Sequence, residues 1–564
     1  MTEVKTPSRR ELAAAATAPG QDYEIVAGEF WGRPCRVFKN APQTLRNLYD
    51  DNRSDETFIV YEDERYSFEE SWAKAAQIGH LLVNDYGIQK GDRVAISMRN
   101  YPEWILTFNA ITSIGAVAVA MNSLWLSDEM AYGLNDSGAK VLFADQERLD
   151  RLEPVRGDVD IHVIAIRPTK ALASGVANLD ELLKKIDKVD MPPVDNFTAQ
   201  DPATLFYTSG STGHPKGVLS CHGNVISALL SWELEAGLHA LEFNVEPPAD
   251  PGYQLATLQG VPLFHVTGSH AVMLSCHRAQ RKLVCMYKWD VNFAAELIDR
   301  EKIASFVGPA AMTGDLVEIS KTTTFDLSSL AVVGGGGAPR APDQVKNIGT
   351  AFANALPNTG WGMTETNAIG TGIGGQDYLD HPDSAGRTAT IVDVRIADEN
   401  GNDMPTGERG EVQLKGATLF EGYWNRPDAT AEALTDGWLH TGDVGYFNEE
   451  GYLYIVDRIK DLVIRGGENI GCAEVEAALL EHDQILEASV YGVPDERLGE
   501  EVGATIYCGG GSLSEESLHD FLVQRIARFK VPRYLTISAE PLPRIATGKI
   551  DKKLMREEAR QRLL

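Results

Sequence analysis

The 564-residue chain has no uninterrupted apolar run of the ~18 residues that a membrane-spanning helix needs. Its richest candidate, Ala110 to Met121, is broken by Thr112, Ser113 and Gly115. The six cysteines stand singly at 35, 221, 276, 285, 472 and 508, with no CxxC pair. That pattern excludes a disulfide framework and predicts reduced, mostly buried thiols in a soluble, cytoplasmic protein. The twelve histidines show no HExxH or other paired spacing, so no zinc site is expected, and His440 and His519 read as structural. Basic residues are scarce: 52 Lys and Arg face 81 Asp and Glu, a net charge of −29. A nucleic-acid partner is thereby excluded, and any anionic ligand must be met by local clusters of N–H groups and cations. No solenoid repeat or low-complexity tract occurs. The stretch SRRELAAAATA (Ser8 to Ala18) has the paired arginines of an export signal, but its apolar part is short and interrupted by Glu11, so it reads as a frayed helical extension.

What is present is ordinary for a globular enzyme, with 43% hydrophobic and 24% charged residues in a chain too long for one core. Residues 1–40 carry little information. From Ala41 onward, helical and short apolar segments alternate. Residues 67–87 have helical spacing, 92–98 read as a strand, 102–115 as a helix and 116–122 as a strand, and 139–145 and 161–166 continue the series. Such alternation predicts doubly wound, parallel sheets. Residues 223–236 should be helical, and VPLFHVTG (261–268) reads as an apolar strand. Another strand, LAVVGGGGAP (330–339), runs into four glycines. From about residue 389 the texture is β-rich, and from 458 it becomes a small α+β unit. The expected division is 1–40 as extension, 41–457 as a large domain with a β-rich subdomain at about 389–457, and 458–564 as a small C-terminal domain.

Within this frame YTSGSTGHPKG, Tyr207 to Gly217, follows the apolar run ATLFY and combines glycines, hydroxyls and one lysine. Gly210 and Gly213 let successive N–H groups converge, Thr208, Ser209, Ser211 and Thr212 add hydroxyls, and Lys216 adds a charge. This is a polyphosphate cradle, although the spacing is not that of the Walker loop. A solvated Ser/Gly linker would have little use for the flanking strand. The segment resembles the phosphate-binding signature of the adenylate-forming superfamily, which holds acyl-CoA synthetases, coumarate-CoA ligases, luciferases and nonribosomal adenylation domains.

Further segments in the same order extend the resemblance over about residues 200–550. GWGMTE (360–365) is similar to the family's adenine-binding segment. Trp361 stands where Tyr is usual, flanked by Gly360, Gly362 and Met363, and Thr364 would meet the α-phosphate while Glu365 would hold Mg2+. Taken alone, a structural Trp in a tight turn is an equal reading. Gly336, Gly337, Ala338 and Pro339 would line the nucleotide. Asp443 of the Thr-Gly-Asp turn and Arg458 would hold the ribose, where an Asx-turn is otherwise the ordinary reading. Lys460 would be the hinge between domains. Arg465, Gly466, Gly467 and Glu468 would line the coenzyme A passage. Lys549, in PxxxTGK, would bridge the acyl carboxylate and the α-phosphate, although a lone lysine there would otherwise be a surface charge. GTGIGG (370–375) matches a dinucleotide fingerprint in letters, but it lacks the preceding strand and following helix.

The resemblance implies an AMP-forming acid–thiol ligase that uses ATP, coenzyme A and Mg2+. Its acyl pocket would lie between His265, which would gate it and join Lys549, Thr364 and Glu365 in catalysis, and the glycine turn. Val266, Gly268, Gly334, Gly335, Gly337 and Met363 would line that pocket. With no lysine or arginine among these residues, a hydrophobic acid is expected, first a medium- or long-chain fatty acid in lipid metabolism, with an aryl or arylalkanoic acid as the alternative. Loading of a carrier protein in trans and a non-catalytic binding relative are the other readings. A homodimer is left open as the assembly.

Overall fold

The computed structural model describes residues 7–208, 214–245, 250–336, 340, 342–466, 468–511, 513–544 and 549–563. Two large sheets form the frame. The eight-stranded sheet runs, edge to edge, Gly422–Tyr423, Lys216–Cys221, Pro202–Thr208, Val117–Ala120, Arg93–Ser97, Val141–Asp145, His162–Ile166 and Val176–Asn178. From Pro202–Thr208 through the last strand the pairing is parallel, whereas Pro202–Thr208 and Lys216–Cys221 pair antiparallel around the phosphate-loop segment. Helices Pro102–Ser113 and Ser127–Ser137 supply crossovers of the kind that parallel strands require. The nine-stranded sheet is parallel at its centre, where Ile303–Gly308, Val332–Gly335 and Leu356–Trp361 lie side by side. Both sheets present Val, Ile, Leu and Ala runs on two buried faces, as sheets covered by helices on both sides do. The main core lies between them.

Helix His222–Glu242 leaves the end of strand Lys216–Cys221 and is buried over its first ten residues, His222 to Ser231. A five-stranded antiparallel sheet follows, containing Val392–Ala397, Gly410–Gly416, Trp438–Phe447 and Leu453–Arg458. The last sheet is built from residues 463 to 538 and has its own core of Val463, Ile470, Val475, Leu479 and Val502. The architecture is α/β, with a large N-terminal domain of sheets and a smaller C-terminal domain. Among the described residues, no helix is long and apolar enough to cross a membrane. All six cysteines are free, and five are buried.

Three segments differ from the sequence expectation. VPLFHVTG is not a strand: the strand ends at Gln259, a turn follows, and Thr267–Leu274 coils as a π-helix. A buried helix and a buried strand are equally apolar, so periodicity could not separate them. GTGIGG does meet a helix, the six-residue Gly375–Asp380, but Thr371–Gly374 is itself an antiparallel strand beside Leu356–Trp361. The extension is not frayed. Helix Arg9–Ala16 starts on a Ser8/Glu11 capping box and docks through Arg9 on Glu235 and Glu242 of helix His222–Glu242.

Candidate active site

The two antiparallel strands around the phosphate loop set the site. Thr208 and Lys216 are register partners, and the Thr208 hydroxyl donates to the Lys216 carbonyl at 3.4 Å. Ser209, Gly210, Ser211, Thr212 and Gly213 lie outside the described residues, as do Gly337, Ala338, Pro339 and Gly467. The edge strand of the sheet, Gly422–Tyr423, pairs with Lys216–Cys221 and brings Tyr423 beside the lysine. Lys216 Nζ sits 4.7 Å from the Tyr423 ring centroid, a cation–π contact. The Tyr423 hydroxyl donates to Glu365 Oε1 at 2.6 Å. Burial pushes the Glu365 carboxyl above its ordinary range, and Tyr423, Arg458 and Lys216 pull it back. Tyr423 was not among the residues singled out in the sequence. It has no signature of its own, and only strand pairing brings it here.

A second cluster follows from the antiparallel sheet, where Asp443 and Arg458 are register partners. Arg458 Nε lies 3.1 Å from Asp443 Oδ1, while the Trp361 indole N–H donates to Asp443 Oδ2 at 2.8 Å. Asp443 is buried, which raises its pKa against the pull of Arg458, Trp361 and Lys549. The indole therefore orients the carboxylate as well as offering a ring. The ring packs on Gly370, where a Cβ would lie 2.7 Å from it. Gly360 is exposed, and Gly362, Met363 and Thr364 are half-buried. At Gly362 a Cβ would meet the Ala368 backbone at 2.6 Å.

Lys549 comes from the C-terminal domain into the same region. Burial lowers its pKa, Arg458 lowers it further, and Asp443 opposes both. The residue still reaches solvent. Its charge is also felt by His265, whose pKa is held down to about 4 by burial first and Lys549 second. His265 is thus neutral at physiological pH, and its Nε2 has no hydrogen-bond partner among the described residues. Arg465 instead binds Glu501 of its own sheet at 2.7 and 2.9 Å, and it pairs with Glu468 across the hairpin whose turn holds Gly466 at φ +60°. Lys460 is exposed just beyond Arg458, and burial of its stem together with Arg458 lowers its pKa. The structure therefore gathers Lys216, Glu365, Trp361, Asp443, Arg458, Lys549 and His265, while Arg465 is engaged within its own sheet.

The acyl side contains residues that the sequence did not indicate. A Cβ at Gly336 would lie 3.7 Å from the Thr267 methyl, so these two face each other. Val266 is buried in the main core. At Gly268 a Cβ would collide with the Pro262 carbonyl, so that glycine serves the packing of its own turn. The Asn358 amide occupies the space above Gly334. Gly335 abuts the buried Arg340 guanidinium, which donates to Thr313 Oγ1 and the Gly334 carbonyl at 3.1 and 3.2 Å. Among the described residues, no cluster of three His, Cys, Asp or Glu could enclose a metal. A single buried carboxylate beside a phosphate loop suits Mg2+, which keeps waters and takes most ligands from substrate phosphates.

The sequence pattern of AMP-binding enzymes matches residues 49–424, and that of the AMP-binding enzyme C-terminal domain matches 474–549. A long-chain-fatty-acid–CoA ligase, FadD13, of Mycobacterium tuberculosis is 33% identical over 88% of this chain and 93% of its own. A 2-succinylbenzoate–CoA ligase of Bacillus cereus is 31% identical over 90% and 95%. Among solved structures, the anthranilate CoA ligase AuaEII in complex with anthranoyl-AMP shares the fold, with a TM-score of 0.83 at 23% identity over 92% of this chain and 98% of that one. With two such matches spanning the frame and the C-terminal domain, the chain belongs to the AMP-binding enzyme family and is an AMP-forming acid–CoA ligase.

Proposed function

We propose that the acid is a hydrophobic one, first a medium- or long-chain fatty acid, converted through an acyl-adenylate to its coenzyme A thioester. The observation that carries this reading is the facing pair Thr267 and Gly336, the former close in sequence to a neutral His265, small and uncharged groups that suit an apolar chain. The buried Arg340 guanidinium beside Gly335 is turned to Thr313 and the Gly334 carbonyl. The fatty-acid ligase among the relatives supports the same class. A compact aryl acid is the second reading, favoured by the Asn358 amide that crowds the Gly334 side.

In this reading a carboxylate oxygen of the acid attacks the α-phosphorus of ATP, the bond to the bridging β-oxygen breaks, and pyrophosphate leaves with the electron pair. Two anions must meet, so the barrier is largely electrostatic. Lys216 and the hydroxyl loop steady the departing phosphates, Lys549 neutralises the reacting oxygens, and Asp443 with Arg458 holds the ribose. Glu365 would hold Mg2+, which supplies charge neutralisation at the phosphates. The coenzyme A sulfur then attacks the acyl carbon, and AMP leaves while the thiol proton passes to solvent. Rotation about Lys460 would exchange Lys549 for the Arg465–Glu468 hairpin between these steps. The test is an incubation with Mg-ATP, coenzyme A and straight-chain, cinnamic, benzoic and arylpropionic acids, read by mass spectrometry. A fatty acyl-CoA with AMP is the expected product. An aryl-CoA would favour the second reading, and acyl-adenylate without thioester would indicate a carrier-protein acceptor.

A further inference from the structure

Ahead of the family match, residues 25–38 form a hairpin whose tip docks on the start of helix His222–Glu242. Strands Ile25–Phe30 and Arg33–Phe38 are joined by Trp31 and Gly32, at φ +57° and +69°. This is the two-residue turn that suits a hairpin's twist, but a bulky Trp in that region is strained and needs external support. The support is visible. The Trp31 indole donates to Asn224 Oδ1 at 2.9 Å, and the Phe30 ring fills the space left by the missing side chain of Gly223. Asn224 in turn donates to the Ala417 carbonyl at 2.7 Å. Arg33 donates through Nη2 to the Phe420 carbonyl and through Nη1 to that of Glu421 at 3.5 Å. The hairpin thus holds the segment 417–421 at both ends.

That segment is also the one that builds the Glu365 environment. Phe420 N–H donates to the Glu365 carbonyl at 3.0 Å, Asn367 donates to the Thr418 carbonyl at 2.8 Å, and Glu421 N–H donates to the Leu219 carbonyl at 2.7 Å. The Phe420 ring meets the Tyr423 ring edge-on at 5.0 Å, and Tyr423 bonds Glu365. Burial lowers the Arg33 pKa, and the guanidinium donates to backbone carbonyls, which specify where a chain runs. We propose that Arg33 is a positioning residue for adenylation: by gripping the carbonyls of Phe420 and Glu421 it keeps the Tyr423 hydroxyl on Glu365 and so sets the carboxylate that meets metal-bound ATP. The hairpin is then part of the phosphate site. This rests on the reading of Glu365 as the metal carboxylate.

The test uses the full chain with Arg33→Ala, Arg33→Lys, Tyr423→Phe and the double variant Arg33→Ala/Tyr423→Phe. Binding of Mn2+-ATP is titrated by water-proton relaxation without acid or turnover, and thioester formation from presynthesised acyl-adenylate is measured separately. Arg33→Ala should weaken Mn2+-ATP binding about tenfold, Arg33→Lys should recover most of it, and the double variant should be no worse than Tyr423→Phe alone. Thioester formation should stay within twofold of the native rate. If Tyr423→Phe weakens binding and Arg33→Ala does not, the clamp is wrong while the Glu365 reading survives. If Tyr423→Phe itself has no effect, the tyrosine does not set the carboxylate and the proposal fails; Glu365→Gln, which should abolish Mn2+-ATP binding, tests the Glu365 reading separately. Equal loss in both half-reactions by Arg33→Ala, with a lowered Tm, would reduce the hairpin to a structural brace and overturn the proposal.

Discussion

Replacing Tyr423 by Phe removes one oxygen from the site and leaves the rest of the ring in place. The ring would still meet Lys216, 4.7 Å from its centroid, and Phe420 at 5.0 Å, so the loop lysine keeps its seat. What is lost is a 2.6 Å hydrogen bond to Oε1 of a buried carboxylate. A hydrogen bond to a charged group contributes about 1.5–3 kcal/mol, because the buried acceptor is left with neither its donor nor water. If that energy is spent in holding Glu365 for adenylation, the rate of acid-dependent ATP–pyrophosphate exchange should fall about 10- to 150-fold. The deficit should shrink as Mg2+ is raised. The second half-reaction, started from synthetic acyl-adenylate, should remain within a few-fold of native. Exchange within about threefold of native at all Mg2+ concentrations would refute the argument, as would a loss shared equally by both half-reactions.

Lys549→Ala should reduce adenylation by about 10²–10³, the usual cost of one preorganised charge at a transition state, and should spare thioester formation from the adenylate. Lys460→Pro should invert that pattern, impairing the thioester step more than adenylation, and a matched loss of both would count against rotation there. Thr267→Trp, opposite Gly336, should shorten the accepted acid, which a chain-length series with the variant would read directly. His222, His265, His270 and His277 are buried with pKa values lowered to about 3, 4, 3 and 3, so their stabilisation is complete above pH 6.5 and is lost as pH falls toward those values. Each contributes about 1.4 kcal/mol per pH unit, a ceiling that buried carboxylates with raised values, such as Glu103, partly offset. His277→Phe, within the ring box of Tyr49, Phe58 and Phe68, should reduce the change in urea-unfolding stability between pH 6.5 and 5.5 by about 1 kcal/mol, because the unfolded imidazole is already half protonated at pH 6.5; an unchanged slope would reject it.

Local sequence determined the parallel α/β frame, because buried strands and crossover helices each carry their own periodicity within a few residues. It also named Lys216, Trp361, Glu365, Asp443, Arg458 and Lys549, whose residue types sit in short, ordered motifs that need no partner to be legible. Tertiary structure decided what those motifs touch. Asp443 meets Arg458 because two antiparallel strands fall into register, and Trp361 reaches Asp443 from a different sheet. Tyr423 reaches Glu365 because a two-residue strand joins the edge of the phosphate-loop sheet. Thr267 faces Gly336 because an apolar run coils as a π-helix where a strand would have read the same. The hairpin at 25–38 was the least legible, since its ligands are backbone carbonyls. A carbonyl is present at every residue, and only the fold selects which one Arg33 meets.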